Sequence, residues 1–280
     1  MINKKLLWSE KFPVLFIRGK DVRKFLNGQL STNVLNIPDN KIHTSCLLDP
    51  LGNLTAVLEI SFSKDCARLI SISGDINLLS SYFSNMIFPS DNVDLEPIKY
   101  ILRQQVIDYN DSWRKIFPYY QFDNKFHENT LLENYEKASK EQLILWKNSQ
   151  GIIDITSDNI GKYNPFEIGL SDLIDFNKGC FLGQEKLSRL NRANYLRQEI
   201  RSWETLDTSS SDINYTEIDL FISSKDQVKI GNIISSIYVN NSIHGFAFIK
   251  RNFLNIQKVF SKQLGDIKLN IPIGFVPNIT

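Results

Sequence analysis

Eight consecutive residues, Lys178-Gly179-Cys180-Phe181-Leu182-Gly183-Gln184-Glu185, place a thiol between two glycines, with an amine on one side and an amide–carboxylate pair on the other. Directly after them, Gln184 to Leu190 has the spacing of a short helix that turns Leu187 and Leu190 inward. The unpaired N–H groups and the dipole of a helix start favour an anion, and Lys178 adds a cation nearby. Both push a thiol toward thiolate, the form that attacks electrophiles, binds metals and is oxidised. Gly179 and Gly183 permit positive φ and a tight approach. Glu185 opposes thiolate formation if it lies close to the sulfur, and otherwise caps the helix. Arg189, four residues beyond Glu185, is counted with the motif. The plainer alternative is a packed cysteine in a glycine-flanked turn; the mixture of residue types favours a site, with Cys180 and Lys178 as its reactive pair.

Other chemistries have less support. Cys46 and Cys66 sit in apolar stretches and read as small buried hydrophobes. Three cysteines without a C-x-x-C give neither a disulfide framework nor a four-cysteine metal centre. A cysteine hydrolase needs a histidine base, and His43, His127 and His244 carry no local signature. Gly179-x-x-x-Gly183 lacks the Gly-Lys-Ser/Thr ending of a phosphate loop. No metal site is expected.

The elements that must position this motif follow from periodicity. Val14 to Ile17 predicts a strand, and Asp21 a cap for a helix bearing Val22, Phe25 and Leu26. Ser45 to Leu48 and Leu54 to Phe62 predict strands around the turn Asp49-Pro50-Leu51-Gly52-Asn53. Ala67 to Ser73 predicts another strand, and Asp75 opens an amphipathic helix through Ile76, Leu79, Phe83 and Met86. Val93 to Ile98 and Ile101 to Ile107 have strand character, Asp108 to Asn129 reads as loop with short elements, and Lys140 to Trp146 as helix. Gly151 to Cys180 is rich in turn residues, and so long an irregular stretch suggests function. Beyond Arg192, Ile200 to Leu206, Leu220 to Ser223, Ile233 to Tyr238, Gly245 to Ile249 and Asp266 to Ile271 are short β-type runs, the pattern of a small barrel or sandwich. The polar run Asp207 to Asn214 reads as a loop. The boundary is expected near residue 195, giving units 1–195 and 196–280.

A net charge of +1 argues against a dedicated nucleic-acid coat or a polybasic membrane binder. No apolar run is long enough to span a bilayer, and Glu10 and Lys11 interrupt any signal-peptide core. A cytoplasmic location follows as an expectation, with no membrane and no direct nucleic-acid partner.

The motif resembles the K-G-C-[YF]-x-G-Q-E signature of the YgfZ family, bacterial relatives of a mitochondrial iron–sulfur assembly factor, within the superfamily of the glycine-cleavage T-protein. Ile17 to Val34 resembles that superfamily's G-x-D-x-x-x-F-L-x-G-Q opening, and Leu47 to Leu54 its following hairpin. Pro165 to Leu170 resembles its P-x-E-x-G-L segment, and Gly231 to Ser236 and Gly245 to Lys250 its barrel strands. The resemblance implies an α+β fold, a three-lobed ring with a bilobed N-terminal part and a small C-terminal β-barrel. It also implies a tetrahydrofolate-type ligand.

By resemblance, Glu167 contacts the folate head group. A carboxylate can accept two N–H donors from the aminopyrimidine edge of a pterin. Trp146 and Phe12 are candidates to stack on the ring. The hairpin departs from the T-protein pattern, because Gly52 to Leu58 carries no aspartate where that enzyme uses one in aminomethyl transfer. The implied function is therefore folate binding in support of iron–sulfur protein assembly or repair, and through such enzymes tRNA modification. Client or assembly proteins would be the partners of an expected monomer. A tetrahydrofolate-dependent aminomethyl- or methyltransferase is the alternative. Whether Cys180 ligates iron, attacks a one-carbon unit or senses redox state stays open.

Overall fold

The structure is a computed structural model that describes residues 5–121, 132, 134–193, 196–205, 216–225 and 228–278. His127, the polar run Asp207 to Asn214 and the expected boundary at 195 lie outside these residues.

The N-terminal part is an antiparallel sheet in the order β2-β3-β4-β1-β6-β7 with β5 also on β1. The strands are β1 (Leu6–Arg18), β2 (His43–Leu48), β3 (Leu54–Ser63), β4 (Cys66–Ser73), β5 (Asp94–Leu95), β6 (Lys99–Ile107) and β7 (Tyr119–Gln121). β1 begins eight residues before the expected Val14, because its first half pairs with β6 from Leu6↔Ile107 onward. The polar Ser9-Glu10-Lys11 and Pro13 hide this half in the sequence. Pro13 is tolerated because the β1–β4 ladder starts only at Val14, so its missing N–H is not needed on that side.

Helices α1 (Val22–Gln29) and α2 (Ile76–Met86) cover one face of the sheet through Val22, Phe25, Leu26, Leu79 and Phe83. Asp75 caps α2 by accepting from the N–H groups of Asn77 and Leu78. Asp21 does not cap α1; its carboxylate accepts instead from the Asn92 side chain.

The other face carries α3 (Lys140–Gln150), the irregular segment 151–183 and α4 (Gln184–Ala193). The irregular segment satisfies its backbone against β3, with Leu54 N–H donating to Tyr163 O and Gly161 N–H to Leu54 O.

Six further strands close an antiparallel barrel: β8 (Gln198–Thr205), β9 (Asp219–Phe221), β10 (Lys229–Val239), β11 (Ser242–Lys250), β12 (Lys258–Ser261) and β13 (Gly265–Asn270). β12 has no counterpart in the sequence reading, since four residues leave little periodicity to detect. Ile200, Phe246 and Phe248 join the core beneath the sheet, so the barrel is docked through apolar burial. After β13 the chain returns to the α+β part. Ile273 N–H donates to Ser149 O, Val276 N–H to Gly169 O, and the Phe275 ring lies where a side chain on Gly169 would go. Among the described residues, no helix is long and apolar enough to cross a membrane.

Candidate functional site

The Cys180 loop is fixed from both sides and open in the middle. On the N-terminal side, Asp175 N–H donates to Ser31 O, and the Ser31 hydroxyl donates to Leu173 O. Lys178 is buried, and its ammonium donates to the carbonyls of Asn27 and Leu30 at the end of α1. Those carbonyls are among the acceptors a helix end leaves unpaired, and a cation complements that end of the dipole. Burial holds the Lys178 amine down at about 8. Two of its donors are thus committed to the end of α1.

On the C-terminal side, Phe181 is buried near Phe176, and Leu187 is fully buried in the core under the sheet. Gln184 starts α4, and its N–H donates to Phe181 O. Gly183, at φ +80°, lies against the β2–β3 turn: a Cβ there would sit 2.6 Å from Asp49 O and 2.9 Å from Gly52 Cα. Gly179, at φ +95°, faces open space, so it supplies conformation rather than clearance. Between these anchors Cys180 is exposed, while Cys46 and Cys66 are buried. Burial pushes the Cys46 thiol up to about 12 and raises that of Cys66 as well. Glu185 and Arg189 pair with each other in solvent, at 82% and 70% side-chain exposure, a contact of little energetic weight.

The proposed folate residues do not gather at this loop. Glu167 is half-buried where the irregular segment meets β8: its carbonyl accepts from Ile200 N–H, and its carboxylate has a 3.5 Å contact from the Gln198 amide. Desolvation lifts its pKa above the usual carboxylate range, although Gln198 and Arg197 act in the opposite direction. A half-buried carboxylate with one long hydrogen bond keeps acceptor capacity for a donor pair, which fits a pterin edge.

The aromatic candidates fit less well. Trp146 is completely buried, its indole N–H donating to Asp108 O at 3.0 Å, with Trp8 edge-on at 5.6 Å. Phe12 is 9% exposed and packs edge-on against Trp8 at 5.5 Å. Both rings are core residues, and stacking on either would require the core to open.

The structure also holds a polar cluster that sequence reading missed. Glu59, in the apolar strand β3, takes two hydrogen bonds from Arg103 at 2.8 and 2.6 Å and a third from the Tyr120 hydroxyl at 2.6 Å. Arg103 is fully buried between Glu59 and the Trp8 ring. The clue was an acid in a strand otherwise without charge, since such a charge is buried only with a partner. Glu59 is the first acid after the acid-free stretch Gly52 to Leu58, and its oxygens are already occupied.

This architecture corresponds to that of a known class. Glycine cleavage system aminomethyltransferase T from Bartonella henselae superposes with a TM-score of 0.70 over 99% of this chain and 88% of that one, at 10% identity. The fold is that of an aminomethyltransferase T. Sequence likeness narrows this further. The chain is 22% identical over 220 residues to the tRNA-modifying protein YgfZ of Colwellia psychrerythraea, covering 66% of this chain and 67% of the relative. It is also 22% identical over 193 residues to an uncharacterized protein of Haemophilus influenzae, covering 64% and 66%. About two thirds of each curated relative is therefore spanned. No family model matches. The chain is YgfZ-like, with the α+β fold and C-terminal barrel expected for it.

Proposed function

We propose that this protein binds a reduced folate and supports the assembly or repair of iron–sulfur proteins, with Cys180 as its working thiol. The observation that carries the reading is the contrast among the three cysteines: two are buried, and the third is exposed on a loop anchored by Lys178 and Gly183. An exposed sulfur held by a rigid frame is suited to chemistry on a partner. Residues 1–195 form the folate-binding unit and 196–280 the barrel unit. Glu167, at their junction, is the residue to hold the pterin edge. The protein is cytoplasmic and monomeric, contacts iron–sulfur client or assembly proteins, and has no direct nucleic-acid or membrane partner. The tRNA modification for which its Colwellia relative is named fits an indirect role through cluster-bearing enzymes.

The alternative, a tetrahydrofolate-dependent aminomethyl- or methyltransferase, draws on the likeness to aminomethyltransferase T. The absent acid between Gly52 and Leu58 and the occupied carboxylate of Glu59 leave it without an evident proton-transfer group. Cells that carry Cys180→Ala in place of the wild type test the proposal. Loss of iron–sulfur enzyme activity at unchanged protein level is expected. Full activity would contradict it.

A further inference from the structure

A cavity of about 250 Å³ opens beside His43, at the end of the β2–β3 hairpin remote from Gly52. Its charged walls are Arg114, Asp172 and Glu59, and its apolar walls include Trp113, Phe117 and Leu173. The Arg114 side chain is only 8% exposed. Nη2 donates to Asp172 Oδ1 at 3.1 Å and to Gly274 O at 2.8 Å, while Nε is buried without a partner. A guanidinium so far out of water with a donor unmade costs free energy that an incoming acceptor would recover. Asp172 is 40% exposed and gives Arg114 a single oxygen.

The other titratable groups at the cavity do not disturb this pair. Glu59 is saturated by Arg103 and Tyr120, and burial lowers the pKa of His43, which leaves it neutral at pH 7. With the Glu59 charge matched by Arg103, Arg114 and Asp172 are the opposite charges left to face the space, so it suits a ligand bearing both signs better than a simple anion. The volume lies just below the ~300–1,000 Å³ range of drug-sized ligands, which indicates a compact molecule.

We propose that this cavity is a binding site for a small apolar α-amino acid. The ligand carboxylate binds the free donor of Arg114, its ammonium binds Asp172, and its side chain lies against Trp113 and Phe117. The site is independent of the folate reading and of Cys180.

The test is titration of the whole protein with leucine, 4-methylpentanoate and 3-methylbutylamine, followed by saturation-transfer NMR and calorimetry. Leucine should bind saturably, and the acid and the amine roughly tenfold more weakly or worse. Asp172→Asn, at a half-exposed position whose carboxamide oxygen can still accept from Arg114, should remain folded. It should weaken leucine by roughly tenfold and leave 4-methylpentanoate unweakened. Arg114→Lys should weaken leucine and 4-methylpentanoate together. No binding of leucine to the wild type, equal binding of leucine and 4-methylpentanoate, or leucine binding untouched by Asp172→Asn would each overturn the proposal.

Discussion

Gly52, in the β2–β3 turn, and Gly183, in the cysteine motif, lie back to back. A Cβ on Gly183 would fall 2.9 Å from Gly52 Cα, and one on Gly52 would fall 3.1 Å from Gly183 O. Both residues have positive φ, +77° and +80°. The turn of one hairpin thus sets where α4 begins and, through Phe181, where the Cys180 loop sits.

Alanine at Gly183 should therefore be costly. It combines an unfavourable φ with backbone overlap at Asp49, for a loss of about 2–4 kcal/mol. Alanine at Gly179 meets only the φ penalty, about 1–2 kcal/mol, because nothing lies within 4 Å of its Cβ position. Urea denaturation of the two variants reads the difference. Equal losses would mean that the contact between hairpin and α4 carries no strain.

The buried pair Glu59–Arg103 makes a second expectation. Glu59→Gln leaves a fully buried guanidinium short of its counter-charge and should cost about 3–5 kcal/mol. Tyr120→Phe removes one hydrogen bond to the same carboxylate and should cost about 1–2 kcal/mol. Thermal melts of both proteins check the order. A Glu59→Gln protein as stable as the wild type would show that the pair is dispensable.

The three thiols should separate by reactivity. Iodoacetamide at neutral pH should label Cys180 first, since Cys46 and Cys66 are buried and burial raises both of their pKa values. Mass spectrometry of partly labelled protein identifies the site. Cys180→Ala should leave the melting temperature unchanged, as an exposed side chain contributes little packing. Prior labelling of Cys46 or Cys66 would contradict the burial assigned to them.

Lys178 gives a pH dependence with a definite sign. In the fold its amine titrates at about 8, against an ordinary 10.5 in the unfolded chain. Between these values the unfolded state binds more protons, so the Lys178 contribution to stability rises with pH across that window. Below it, the folded state bears the cost of a buried charge. The stability difference between wild type and Lys178→Met, followed from pH 7 to 10, should move in the wild type's favour. A flat difference would mean that the amine is not desolvated.

Much of the fold was legible because local pattern and burial agree. Leu54 to Phe62 is rich in apolar and β-branched residues, and it became the buried strand β3. Asp75 with its i, i+3 apolar followers became a capped helix. Agreement failed where tertiary contacts override local signals. Ser9 to Lys11 joined β1 because β6 pairs with it, and Asp21 was drawn to Asn92 instead of its helix.

The same holds at the site. The motif marked the loop, but nothing local shows that Lys178 reaches Asn27 and Leu30, about 150 positions earlier in the chain. Trp146 and Phe12 read as stacking candidates because aromatic rings suit a pterin. Their indole and ring edges are consumed by Asp108 and Trp8, which only the packed core reveals.

In the proposed function the pterin edge is held by Glu167, whose pKa is raised by burial. A carboxylate must be ionised to accept two pterin donors, so affinity should fall on acidification at a pH above the ordinary 4.5. The decisive measurement is calorimetric titration of wild type and Glu167→Ala with tetrahydrofolate and 5-formyl-tetrahydrofolate. The wild type should bind at least one of them, and Glu167→Ala should bind it roughly tenfold more weakly or worse. A wild type that binds neither folate would contradict the central claim, and equal binding by the two proteins would remove Glu167 from the site.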